Sequence, residues 1–140
     1  MTRNTGIWID GSKAVIIELQ GDEAIIQEVP ANVEYHQRIP GEGKDTTRFG
    51  NQFFDLEHKK EHRIQDQRKH FLDKVRTLTL HADQIVVFGP AGTKTELEKI
   101  FRLDHIMAGK LLAVHTAPDM THNQMTAWVR KYFKNTHVEL

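Results

Sequence analysis

The chain has 140 residues, with 19 Lys+Arg balanced by 19 Asp+Glu, 9 histidines and no cysteine. That length supports one domain with a core of its own, and the missing thiols exclude disulfide frameworks, zinc fingers, iron–sulfur clusters and a cysteine nucleophile together. Ser12 is the only serine and sits in a turn-like Asp10-Gly11-Ser12, which leaves serine-hydrolase chemistry one poorly placed hydroxyl.

No long apolar stretch follows the N-terminus, so neither a signal peptide nor a membrane span is expected, as for a cytoplasmic protein. Three short runs come first: Ile7–Ile9, Ala14–Leu19 and Ala24–Val29. They are rich in β-branched residues and separated by Asp10-Gly11 and Gln20-Gly21-Asp22, which predicts an antiparallel meander. From Pro30 to Asp45 the pattern breaks among prolines, glycines and polar residues, the mark of a long loop, with Gly41, Glu42 and Gly43 at its tip. The period then becomes helical from Thr46 to about Leu80. At about 100° per residue, Phe49, Phe53, Leu56, Ile64, Phe71, Val75 and Leu78 fall in one stripe. An unbroken helix there is roughly 50 Å long, more than a domain of this size needs, so part of it should project.

Gln84–Phe88 reads as a buried strand and Gly89–Gly92 as a turn. Thr93 with Glu96, and later Thr121 with Gln124, have capping-box spacing and open two further helices on either side of a strand at Leu111–His115. The order β-β-β-α-β-α-β-α predicts an α/β class: one domain over residues 1–140, with a mixed five-stranded sheet whose meander feeds a parallel portion.

Zero net charge conceals a division. Residues 1–40 carry three basic and six acidic side chains (−3), residues 41–80 nine and seven (+2), and residues 81–140 seven and six (+1). Lys44 and Arg48 near the start of the long helix, with His58, His62, Arg68, Lys69 and Arg76 on its polar side, are the candidate phosphate contacts; such contacts need positive charge more than fixed geometry. Asp55 and Asp73 dilute that face, and a mixed solvated surface is the simpler alternative.

Three other constellations point to catalysis less well. His58-Lys-Lys-Glu61-His62 has the H-x-x-E-H spacing of an inverted zinc peptidase motif but lies opposite the apolar stripe, away from any buried further ligand, so no metal site is assigned. Gly89-Pro-Ala-Gly-Thr-Lys94-Thr95 follows a strand and opens a helix, yet its spacing fails for a phosphate-binding P-loop. Asp10 at the end of the first strand could serve a metal-dependent nuclease, but the second half offers few convergent carboxylates, and a turn-forming Asp-Gly explains it equally.

Gly6-Ile-Trp-Ile-Asp10, Phe88-Gly-Pro-Ala-Gly-Thr-Lys-Thr-Glu-Leu97, Ala113-Val-His-Thr116 and Met125-Thr-Ala-Trp-Val-Arg-Lys-Tyr-Phe133 occur in that order. Together they resemble the small bacterial translational machinery proteins, a group similar to the central domain of the archaeal and eukaryotic class-one peptide release factor and of Pelota. The resemblance implies a ribonuclease H-like fold and a cytoplasmic role on or near the ribosome, with ribosomal RNA or tRNA as partner and no cofactor. Release factors carry a Gly-Gly-Gln tip between the third strand and the long helix. The equivalent loop here reads Pro40-Gly-Glu-Gly-Lys-Asp45, and Gly-Gly-Gln occurs nowhere in the sequence. No catalytic residue is therefore carried over, and a non-enzymatic binding factor in ribosome rescue or dormancy is the expectation. A protein-interaction module that oligomerises through the long helix is the alternative.

Overall fold

Turn chemistry closes the first meander. β1 (Asn4–Ile9) returns as β2 (Lys13–Gln20) because Asp10 Oδ1 accepts the Ser12 amide at 2.8 Å and the Lys13 amide and Ser12 hydroxyl at 2.9 Å, an Asx turn. β2 joins β3 (Glu23–Pro30) through Gly21 and Asp22, with Gly21 at φ 60°, a conformation that costs glycine nothing. A computed structural model describes residues 2–33 and 50–138, and for 50–57 and 137–138 only the course of the backbone. The tip residues Gly41, Glu42 and Gly43, together with Lys44 and Arg48, lie outside the described residues.

The chain continues as α1 (Gly50–Leu78), β4 (Gln84–Gly89), α2 (Thr93–Leu103), α3 (His105–Ala108), β5 (Leu111–Thr116) and α4 (His122–Val138). The five strands form one mixed sheet in the order β3-β2-β1-β4-β5. β1 pairs antiparallel with β2 (Ile7 opposite Ile16) and parallel with β4 (Ile7 beside Val87), so the first strand of the chain is the middle of the sheet. β5 follows β4 in parallel, with a bulge that leaves Leu112 out of the register between Leu111 and Ala113.

Alternation along β1 builds two cores. Ile7 and Ile9 point to one face, with Ile16, Val29, Ile85 and Val87, beneath α1, α2 and α3. Trp8 points to the other, with Val15, Ile17, Val86 and Phe88, beneath Met125, Val129 and Phe133 of α4. Gly6 lets α4 approach, since a Cβ there would overlap the Val129 side chain. The Thr121–Gln124 capping box forms as expected: the Gln124 amide donates to Thr121 Oγ1 at 3.2 Å and the Thr121 amide to Gln124 Oε1 at 2.9 Å.

Two expectations are corrected. Thr93 is not a cap: it is the first residue of α2, Gly92 precedes it with no side-chain cap bond, and the Glu96 carboxylate reaches across to Arg68 of α1. The long helix ends at Leu78 rather than at 80, where Thr79 turns back and its hydroxyl donates to the Val75 carbonyl at 3.0 Å. Its burial is also broader than the stripe, since Leu72 and Thr79 are buried alongside Phe71 and Val75. α1 packs against α2 as well as the sheet, so it buries two sides where periodicity shows one. Between His58 and His70 no side chain is fully buried. No helix among the described residues is long and apolar enough to cross a membrane.

Candidate nucleic-acid interface

α1 offers two polar flanks with different fates. On the flank toward α2 and α3, cations meet carboxylates. Arg68 pairs with Glu96, and Arg76 donates to Asp73 Oδ1 at 3.0 Å and to Asp104 Oδ2 at 2.8 Å. Arg68 and Arg76 therefore fasten α1 to its neighbours and do not form one ridge with His58, His62 and Lys69. Position on the helix explains part of this, because Arg68 comes only three residues before Phe71 and so borders the buried stripe.

Asp104 holds the centre of that fastening. Its Oδ1 accepts the Ile106 amide at 2.9 Å and the Met107 amide at 3.2 Å, which caps α3, while Oδ2 takes Arg76. Those backbone bonds, more than the arginine, hold its carboxyl below the ordinary 3.8, and the side-chain bond from Asp73 leads the causes that raise Arg76. A lowered folded value means that the unfolded chain binds the proton first. The stabilisation is thus complete above pH 3.8 and is lost as pH falls through the lowered value. Urea midpoints of the native chain should accordingly drop more steeply between pH 4 and pH 2 than those of Asp104→Asn, which has no carboxylate to protonate; parallel curves would remove Asp104 from the acid response.

The other flank forms an open cleft of about 640 Å³ between α1 and the end of β3. One wall is Pro30, Ala31 and Asn32, where Asn32 at φ 55° turns the chain through the left-handed region that asparagine tolerates. The other wall is Lys59, His62, Arg63, Asp66, Gln67, His70 and Lys74, and buried Phe71 also lines it. Among the described residues that line it are three permanent cations, one carboxylate and two imidazoles.

Of the residues expected from sequence to touch phosphate, His62 lines this cleft, whereas His58 and Lys69 are exposed elsewhere on the helix. Lys59, Arg63, His70 and Lys74 were not singled out in the sequence. The available signal was their spacing of four, seven and four residues, which runs a line of basic groups along one side of a helix. An open, cationic groove suits the diffuse charge of a polyanion better than an enclosed substrate.

The remaining constellations fall into structural roles. Asp10 is occupied by its turn, Lys94 curls back to donate to the Ala91 carbonyl at 2.6 Å, and His58, Glu61 and His62 are exposed. Among the described residues no three His, Asp or Glu side chains are placed to share a metal ion.

No family model and no curated protein matches the sequence. Solved structures do resemble the fold. The archaeal translation termination factor aRF1 aligns over 97% of this chain with a TM-score of 0.52 at 14% identity, and a further archaeal protein over 97% with a TM-score of 0.49 at 14% identity. This chain spans 40% of the length of aRF1 and 39% of the second protein. At this identity the likeness is one of architecture: the mixed five-stranded α/β sheet and its helices are similar to part of a termination factor.

Proposed function

We propose that the protein is a non-catalytic translation factor that binds ribosomal RNA or tRNA through the basic cleft on α1. The observation that carries this reading is the clustering of Lys59, His62, Arg63, His70 and Lys74 along one groove. The fold likeness to a termination factor supports a role in translation, and the groove supplies a surface suited to a phosphate backbone. Within the α/β class we assign the ribonuclease H-like type, on the strength of the antiparallel meander β3-β2-β1 continued by parallel β4 and β5. Action by binding rather than by peptide release follows from the absence of Gly-Gly-Gln from the sequence. Ribosome rescue or dormancy, in the cytoplasm, is the setting we assign to it.

Sedimentation with ribosomes through sucrose gradients tests it. The protein should travel with ribosomes at low salt and leave them as salt rises, since phosphate contacts release counterions. Protein that stays at the top of the gradient at low salt would reject the proposal. A second reading, self-association through α1, draws on the segment His58–His70, where no side chain is fully buried and Ile64 is half-buried. Light scattering separates the two, because a stable dimer through this segment covers the cleft whereas a monomer leaves it open.

A further inference from the structure

The sheet face opposite the cleft carries a second surface, built on three elements. Phe88 of β4 is fully buried, and Trp128 of α4 stacks on it with ring centroids 4.0 Å apart and planes 6° apart. Tyr132, one turn further along α4, lies parallel to Trp128 at 5.8 Å and 4°. His115 of β5 meets Trp128 and Tyr132 edge-on at 5.7 and 5.6 Å. Trp128 and Tyr132 are half-buried and His115 is exposed, on the last strand of the sheet.

Within α4 the charged side chains have one sign. From His122 to Val138, α4 contains Arg130, Lys131 and Lys134 and no Asp or Glu. Arg130 is spent on the carbonyls of Gly21 and Asp22, at 3.3 and 2.7 Å. Lys131 and Lys134 are exposed, and Lys131, three residues after Trp128, borders the shelf.

We propose that the shelf of Trp128, Tyr132 and His115 takes an unstacked base of single-stranded RNA, with Lys131 on the adjoining phosphate. Flat rings aligned within a few degrees suit a planar partner, and an adjoining exposed cation on a helix that carries no carboxylate suits the phosphate attached to it. Stacking reads the π-face of any base, so this site is tolerant of sequence and less sensitive to salt than the cleft. It lies on the other side of the sheet and stands or falls independently of the cleft.

The chain reports on this site unaided. It has two tryptophans; Trp8 is fully buried with its indole N–H donating to the Pro118 carbonyl at 3.1 Å, so Trp128 is the one that meets solvent. Titration of the full chain with a uridine decamer at about 0.2 M salt should quench its fluorescence. His115→Ala and Tyr132→Leu should each weaken binding about tenfold. Trp128→Phe should keep binding, read by anisotropy of a labelled decamer, while losing the signal. The pair Lys59→Glu and Lys74→Glu should leave the quenching in place, which separates this site from the cleft. Should Tyr132→Leu melt early, His115→Ala carries the test, since its side chain is exposed. Absence of quenching, equal quenching by double-stranded RNA or by polyglutamate, or indifference to both His115→Ala and Tyr132→Leu would overturn the proposal.

Discussion

Replacing Gly89 with alanine is expected to cost about 3 kcal/mol and to lower the melting temperature by roughly 10 °C. Gly89 ends β4, and a Cβ there would overlap the carbonyl oxygen of Ile9 on β1. A flexible side chain could move away, but this obstacle is backbone. β1 is bonded to β2 on one side and β4 on the other, so it has no free direction in which to shift. The same residue also accepts the Ala117 amide at 2.9 Å, which fixes the chain as it leaves β5 toward α4. A displacement at Gly89 therefore reaches both cores. Gly92 provides the internal control, because a Cβ there meets open space and Gly92→Ala should melt within a degree or two of the native chain. Thermal denaturation followed by circular dichroism reads both; an unchanged melting temperature for Gly89→Ala would refute the close-packing account.

Combining Lys59→Glu with Lys74→Glu should weaken ribosome association by about a hundredfold at roughly 0.1 M salt while leaving stability nearly unchanged. The pair changes the charge of the described lining residues by −4. Both lysines are exposed, so the loss would be electrostatic rather than structural. Lys69→Glu is the control, since Lys69 is equally exposed but does not line the cleft. It changes the total charge in the same direction and should cost much less. Gradient sedimentation of the variants, repeated at several salt concentrations, measures this; a loss of about tenfold for Lys69→Glu, in proportion to its half-sized change in charge, would mean that only overall charge matters.

Legibility from sequence differs between fold and site for one reason, the sequence distance over which each feature is formed. The Asx turn at Asp10, the left-handed Gly21 and the Thr121–Gln124 box each close within a few residues, so their chemistry is complete in a short window. The alternation of Ile7, Trp8 and Ile9, apolar on both faces, already marks a strand covered on both sides. The Thr93–Glu96 pattern does not close as a box: α2 starts at Thr93 itself, with the Glu96 amide bonded to the Gly92 carbonyl, and the Glu96 carboxylate meets Arg68, 28 residues away on another helix. Arg76 and Asp104 are separated by the same 28 residues, and nothing local to either indicates that a guanidinium on the solvent side of a stripe will meet a helix cap.

By itself, then, the amino-acid sequence determined the five strands, the three longer helices and the hairpin turns of the described residues and the α/β class, but not the short α3, since the former rest on local periodicity and short-range hydrogen bonds. Tertiary structure decided which charges remain available. It spent Arg68 and Arg76 on α2 and α3, opened the groove of Lys59, His62 and Lys74 against the end of β3, and brought Phe88, His115, Trp128 and Tyr132 into one aromatic shelf. Those outcomes depend on which helix packs beside which strand, and that depends on burial of the whole core rather than on any stretch of the chain.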